Sequence, residues 1–276
     1  MKGTWFTEKQ TENMSISFRI SEYLHSEETD FQNLKVMETM EFGRMLTLDD
    51  AVMTTIKDEF VYHEMLVLPA LNSHPNPENV LVIGGGDGGA IREIVKNPRV
   101  KKATLCEIDG RVIEMSKKYF PEISCALDDS KVEVIVDDGI KYVQERKNCF
   151  DVIFVDSTDP VGPAVGLFSK EFYKDIFASL KEDGIFAAQT ESPWINPEFI
   201  KNINENVKEI FPIKAYYIAN VPTYPTGMWS FTIGSKKYDP LKVDPNLIQD
   251  SQTKYYNKEI HFNAFKLPNF VKKILD

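Results

Sequence analysis

The stretch Val80-Leu81-Val82-Ile83-Gly84-Gly85-Gly86-Asp87-Gly88-Gly89-Ala90 constrains this chain more than any other. Its apolar, β-branched opening reads as a strand buried on both faces, which is the habit of parallel sheets. Glycines and one aspartate then turn the chain, and Ile91-Arg92-Glu93-Ile94-Val95 begins a helical period. A glycine-rich turn between strand and helix lets the backbone approach a ligand closely, because no Cβ intervenes. Gly84, Gly86 and Gly89 satisfy G-x-G-x-x-G. That spacing alone fits a dinucleotide site, a sulfonium nucleoside site or a crowded turn. Asp87 narrows the choice, since it sets a carboxylate where a phosphate would otherwise sit.

The surrounding pattern makes that strand the first of an alternating series. Strands are expected at Ala103–Ile108, Val132–Val136, Asp151–Val155 and Gly184–Gln189, with helical periods between them. A helix carrying Phe199, Ile200, Ile203, Val207 and Ile210 on one face follows. Two late strands, Lys214–Ala219 and Trp229–Ser235, flank Val221–Gly227 and suggest an antiparallel finish. Upstream, Met14, Ile16, Phe18 and Ile20 alternate with polar residues, and Gln32–Glu38, Gly43–Leu48 and Ala51–Ile56 read as further strands around an Asp49-Asp50 turn. A helix beginning near Asp58 meets Pro69, which would stop or kink it. The fold class is therefore α/β: a methyltransferase-like (Rossmann-like), mostly parallel seven-stranded sheet with a small N-terminal antiparallel β domain. The expected boundaries are 1–57 and 58–276.

Composition excludes several classes. With 276 residues and 42% apolar side chains, the chain has ample material for a core. A net charge of −10 disfavours nucleic acid and anionic membranes as partners and suits a cationic ligand. Cys106, Cys125 and Cys149 have no metal or disulfide spacing, and the N-terminus carries no apolar leader. A cytoplasmic enzyme is the expectation.

Ligands of open α/β sheets bind outside the carboxyl ends of the strands. Here those ends carry Asp87, Glu107, Asp138, Asp156, Asp159 and Glu191, with almost no basic residue among them. Any one such acid is readily a helix cap, but six together form an anionic ring. It would repel a pyrophosphate and hold ammonium or sulfonium groups. Glu107 is spaced to accept hydrogen bonds from ribose hydroxyls. Asp138 before Gly139 either takes an adenine amine or caps a helix. Asp156 and Asp159, backed by Pro160, Gly162 and Pro163, would hold one amine as proton acceptor and another as anchor. Tyr62 and Tyr224 offer hydroxyls and apolar walls, whereas Trp5 and Trp229 read by default as core.

These motifs together resemble the spermidine synthase (polyamine aminopropyltransferase) family of bacterial type. The resemblance rests on Gly84–Gly89, Asp156-Ser157-Thr158-Asp159-Pro160-Val161-Gly162-Pro163, Pro222–Gly227, Asp58–Glu64 and Leu267-Pro268-Asn269-Phe270, so it runs from Trp5 to the C-terminus. It implies aminopropyl transfer from decarboxylated S-adenosylmethionine, a co-substrate, to putrescine, giving spermidine and 5′-methylthioadenosine, with no further cofactor and no metal. By the same resemblance Asp156 is the acid/base. Gln32, Gly84, Gly86, Asp87, Glu107, Asp138 and Gly139 bind the donor. Tyr62, His63, Asp87, Asp156, Asp159, Gln189 and Tyr224 bind putrescine, with His63 standing where some relatives carry glutamine. A homodimer or homotetramer is implied. The segment Thr158–Phe168, with Gly162, Pro163 and Gly166, reads either as a gate closing over the substrates or as a rigid turn. The rival readings are an S-adenosylmethionine-dependent putrescine N-methyltransferase and a non-catalytic polyamine-binding protein.

Overall fold

The structure, a computed structural model, describes residues 3–159 and 162–276. Five strands come first: β1 (Thr4–Thr11), β2 (Met14–Glu28), β3 (Asn33–Thr39), β4 (Gly43–Leu48) and β5 (Ala51–Thr55). They form one antiparallel sheet in chain order. Asp49 and Asp50 take φ of 49° and 64°, the left-handed pair that a tight hairpin needs, which is why two short polar residues stand there. Phe18 and Ile20 point inward, as their alternation predicts, and pack with Phe6, Met37 and Met45. Trp5 lies on the exposed side of β1, contrary to its expected place in a core.

Next come α1 (Glu59–Ser73), β6 (Asn79–Gly84), α2 (Gly89–Val95), β7 (Lys102–Glu107), α3 (Gly110–Tyr119) and α4 (Pro121–Ser124). They are followed by β8 (Val132–Val136), α5 (Gly139–Gln144), β9 (Phe150–Asp156), a 3₁₀ helix (Gly162–Phe168), α6 (Lys170–Ser179) and β10 (Leu180–Gln189). The chain closes with α7 (Pro197–Ile210), β11 (Ile213–Asn220), β12 (Met228–Ser235), α8 (Lys258–Asn263) and α9 (Asn269–Leu275). The second sheet has seven strands in the order β11-β12-β10-β9-β6-β7-β8. Only β12 runs antiparallel to its neighbours, as the late hairpin predicts. Strand order reverses at β6, whose neighbours are β7 and β9, and that switch point opens a crevice beyond the strand ends.

Every residue from Val80 to Ile83 is buried. Val80 and Val82 pack toward α1 and α2, and Leu81 and Ile83 toward α5 and α6. Enclosing such side chains is worth about 1.5–3 kcal/mol each, enough to fix the register of the glycine turn that follows. Pro69 neither ends nor breaks α1. The Met65 carbonyl that proline leaves without its helical donor accepts the Tyr217 hydroxyl from β11 at 2.7 Å, so the helix runs on to Ser73. Glu64, on the same helix, accepts backbone N–H groups from Lys254, Tyr255 and Tyr256, each at 2.8 Å, and so ties down the C-terminal segment. Among the described residues no helix is long and apolar enough to cross a membrane.

Candidate active site

The crevice at the switch point is a cavity of about 430 Å³. One wall is the strand ends: Gly84–Asp87 after β6, Glu107–Ile108 after β7, Asp138–Ile140 after β8 and Asp156–Asp159 after β9. The opposite wall comes from the N-terminal sheet, through Phe31, Gln32, Leu46, Leu48, Ala51 and Met53. A narrow side pocket of about 30 Å³ continues from it past Tyr62, Asp159 and Tyr224. Gln189, Trp229 and Glu8 of β1 complete that pocket.

Asp156 lines the larger space, directly before the Ser157–Asp159 segment that lines both. Its Oδ1 accepts the Tyr62 hydroxyl at 2.6 Å, while Oδ2 is buried and has no hydrogen-bond partner among the described residues. Gly85, at φ +69°, makes this possible: a Cβ there would sit 2.6 Å from that bare oxygen. Burial, then the neighbouring Asp87 charge, push the Asp156 carboxyl up to about 6, against the opposing pull of His63 and the Tyr62 hydrogen bond. Burial and the Asp156 charge together push the Tyr62 hydroxyl well above 10, so it stays a donor.

Asp159 and Glu8 line the side pocket, and Glu191 pairs with Asp159 beside it. Burial raises Asp159, partly offset by a hydrogen bond from Glu191. Glu191 is raised well above its ordinary value, by burial first and then by Asp159, so Glu191 keeps the shared proton. Glu191 holds φ +66°, an unfavourable conformation fixed by hydrogen bonds with Gln189 (its N–H to Gln189 Oε1, 3.0 Å) and Asn196 (Nδ2 to Glu191 Oε2, 3.1 Å). Glu8 is pushed up to about 8 by burial and by Asp159, and its Oε2 is buried without a partner among the described residues. The Tyr224 hydroxyl donates to the Met53 carbonyl at 2.6 Å, and its ring packs edge-on against Trp229. Asp58 holds the Tyr224 loop: it accepts from Thr223 N at 3.0 Å, Thr223 Oγ1 at 2.8 Å and Thr55 Oγ1 at 2.6 Å.

On the other side, Glu107 accepts backbone N–H groups from Gly86 at 3.1 Å and Asp109 at 2.9 Å. Burial still drives its carboxyl up to about 7. Asp138 caps α5 by accepting from Ile140 N at 2.9 Å and also lines the cavity beside Gly139, so capping does not take it away from the cavity. Gln32 reaches the cavity from the N-terminal sheet and donates to Asp109 Oδ2 at 3.0 Å. Asp87 accepts Gly89 N at 2.9 Å and faces His63 Nε2 at 3.2 Å. His63 lies behind Asp87, almost fully enclosed, and meets the site through that carboxylate. Gly89 gives it room, since a Cβ there would fall 2.2 Å from the ring.

His63, Asp87 and Asp156 bring ligand-type atoms within 4.8 Å of one another, a spacing that metals use. Both ring nitrogens, however, face carboxylates, with Nδ1 at 2.7 Å from Glu59 and Nε2 toward Asp87, so the ring donates twice and offers no lone pair. The donor set suits an ion-pair chain rather than a cation.

The structure thus brings Gln32, Tyr62, Gly84, Gly86, Asp87, Glu107, Asp138, Gly139, Asp156, Asp159, Gln189 and Tyr224 around one connected space, with His63 just behind it. Pro160 and Val161, within the expected rigid loop and gate, lie outside the described residues. Glu8, Glu59 and Arg92 escape the sequence reading. Glu8 sits in a polar run whose inward side is set only by pairing with β2, and Glu59 and Arg92 meet across two helices.

Two family models match the chain, a spermidine synthase tetramerisation domain over residues 4–55 and a spermine/spermidine synthase domain over residues 59–244. The chain is 61% identical over 271 residues to the polyamine aminopropyltransferase of Bacillus cytotoxicus, covering 98% of each. It is 59% identical over 275 residues to that of Bacillus subtilis, covering 100% of each. Its structure is similar to a spermidine synthase solved in complex with the transition-state analogue AdoDATO (TM-score 0.97, 44% identity, 100% of this chain and 96% of that one). The spermidine synthase of Thermotoga maritima is similar too, with a TM-score of 0.96 at 43% identity over 100% of this chain and 95% of that one. An acidic cavity at the switch point of this fold, together with these family models and relatives, leads to one conclusion: the chain belongs to the spermine/spermidine synthase family of polyamine aminopropyltransferase enzymes.

Proposed function

We propose that the chain transfers the aminopropyl group of decarboxylated S-adenosylmethionine to putrescine, giving spermidine and 5′-methylthioadenosine. The observation that carries this reading is the buried Oδ2 of Asp156, which has no hydrogen-bond partner among the described residues, on a residue that lines the larger cavity next to the Ser157–Asp159 segment shared with the side pocket. Putrescine is a dication at neutral pH, because amine pKa values lie near ~10. A protonated nitrogen has no lone pair, so the attacking end must first lose a proton. Asp156 Oδ2 takes it, with Tyr62 fixing the carboxylate through Oδ1. Raising the carboxyl from 3.8 to about 6 makes that transfer about 3 kcal/mol less uphill. The freed lone pair then attacks the methylene next to sulfur, the C–S bond electrons return to sulfur, and a neutral thioether leaves. Alignment and exclusion of water supply most of the remaining acceleration.

The other roles follow from position. Asp159, with Gln189 and Glu8 beside it, anchors the far ammonium, and Tyr62, Tyr224 and Trp229 wall the methylenes. Asp87 receives the donor's ammonium and would repel the carboxylate of ordinary S-adenosylmethionine. Glu107 takes the ribose hydroxyls, Asp138 and Gly139 the adenine, and Gln32 closes over the donor from the N-terminal sheet. Gly84 and Gly86 let the backbone come close to it. The match of residues 4–55 to a tetramerisation model supports a homo-oligomer, which we read as a homodimer or homotetramer of cytoplasmic subunits divided at 57/58.

The test is a product assay with putrescine and either decarboxylated or ordinary S-adenosylmethionine. Spermidine and methylthioadenosine, from the decarboxylated donor only, are expected. Methylated putrescine from the ordinary donor would refute the reading, and binding without turnover would leave a polyamine-binding protein.

A further inference from the structure

Behind the cavity, the Glu59 carboxylate lies between two cations. Its Oε2 meets His63 Nδ1 at 2.7 Å and Arg92 Nη2 at 2.8 Å, and its Oε1 meets Arg92 Nη1 at 3.0 Å. Arg92 is itself held by Glu93 (Nε to Oε1, 2.9 Å), which pairs with Lys96 at 2.6 Å. The chain of contacts therefore runs Lys96, Glu93, Arg92, Glu59, His63, Asp87, alternating in charge along its whole length. Its last member touches the cavity, whereas Glu59 and Arg92 line neither pocket.

A neutral imidazole would turn a lone pair against one of the two carboxylates, Glu59 or Asp87. Both oxygens are acceptors only, so double protonation alone satisfies the geometry. The groups facing His63 are Glu59 and Tyr62 on α1, Asp87 in the turn after β6, Asp156 at the end of β9 and, through Glu59, Arg92 on α2. Burial by itself would strip the ring of its proton, but Asp87 and Glu59 outweigh it and hold the ring well above 6.5. The same contacts act on Glu59: burial works to raise it, and His63 and Arg92 bring it down to about 2.

We propose that Glu59, braced by Arg92, is a positioning residue that keeps an imidazolium at His63 beneath Asp87 and beside Asp156. That fixed positive charge favours the ionised form of Asp156, which takes the acceptor's proton, and pairs with Asp87 where the donor's ammonium would bind. The kinetic consequence rests on the aminopropyl-transfer reading; the charge of His63 rests on geometry alone.

The experiment combines ring-nitrogen NMR of ¹⁵N-histidine-labelled enzyme with rate profiles for wild type, Glu59→Gln, Arg92→Gln and His63→Gln. In wild type the His63 ring is expected to stay doubly protonated well above the ordinary histidine range, and in Glu59→Gln to lose its proton at lower pH than wild type. Arg92→Gln should move it the same way by less, and serves where Glu59→Gln fails to fold. Losing the imidazolium should raise the acid limb of kcat/KM for putrescine by about one pH unit. The loss would be about fivefold at pH 6 and within twofold at pH 9, the same in His63→Gln and no larger in the double variant. A wild-type ring that titrates below pH 7, or a loss equal at every pH, overturns the proposal. Absence of any spermidine would refute the functional reading instead, and the NMR titration would still decide the charge of His63.

Discussion

Asp156→Asn should make the enzyme slower and the protein more stable at once. Asparagine preserves the shape and leaves Oδ1 as acceptor for Tyr62, so the pocket stays formed. It removes the basic Oδ2. At pH 7.5 an amine with a pKa near ~10 is neutral in about 0.3% of molecules, and a variant without its base depends on that fraction. The expected loss in kcat/KM is about 300-fold, within the ~10²–10⁴ that a positioned base usually contributes. The loss should shrink about tenfold per pH unit up to ~10, because solution then supplies the neutral amine, while wild type stays flat above about pH 6. Stability moves the other way. A carboxyl raised from 3.8 to about 6 takes up a proton on folding across that window, so its contribution is fully favourable below pH 3.8 and is lost as pH rises through 6. Above pH 6 the folded chain bears about 3 kcal/mol for holding this buried anion, and asparagine removes that cost. Spermidine formation at subsaturating putrescine from pH 6.5 to 10, with calorimetric melting of the unliganded proteins, reads both effects. A rate deficit independent of pH, or a variant no more stable than wild type at pH 8, would refute the reasoning.

Three other substitutions probe separate parts of the site. Glu8→Gln should raise KM for putrescine about tenfold, the worth of one charge-assisted contact, and leave the donor's KM unchanged in steady-state assays. Because Glu8 rises from 4.5 to about 8 on folding, wild type should lose stability as pH climbs through that window. Urea melts at pH 5 and 8.5 should show Glu8→Gln without that slope. Asp58→Ala strands the Thr223 N–H and two hydroxyls, at about 1–3 kcal/mol for each buried group, so melting should fall and KM for putrescine rise as the Tyr224 loop loosens. Donor binding by calorimetry should survive. Glu64→Ala removes the acceptor of three backbone N–H groups; several kcal/mol of stability should go, and limited proteolysis should cut near residues 250–257.

How much of this was legible depends on the range of the interaction. Strand β6, its glycine turn and the acids at the strand ends are written in local periodicity, because a parallel strand enclosed on both faces admits little but β-branched residues. The final antiparallel hairpin was readable for the same reason. Glu8 was not: Thr4–Thr11 is mostly polar, and only pairing with β2 turns Phe6 and Glu8 inward. Nor was the outcome at Pro69, since the hydroxyl that rescues the Met65 carbonyl arrives from Tyr217, far along the chain. Strand β10 starts at Leu180 rather than Gly184 because an irregularity before Ile185 interrupts the pattern. The segment after β12 has little periodicity and is held by Glu64 instead. At the site, residue types at strand ends were visible, whereas the Glu59–Arg92 pair joins two helices that only the fold brings together.

The opening of α1 has a consequence for how chains of this kind can diversify. Asp58 holds the Tyr224 loop, Glu59 and His63 reach Asp87, Tyr62 meets Asp156, and Glu64 secures the tail, all within two turns of helix. Each residue can be exchanged at the expense of one contact. Removing or adding one residue in this span would instead rotate what lies beyond it by about 100° and misdirect these contacts together. Change of length should therefore be purged here and accepted at the exposed turn between Thr11 and Met14, so deletion scanning would find a segment tolerant of some replacements yet intolerant of any shift in phase.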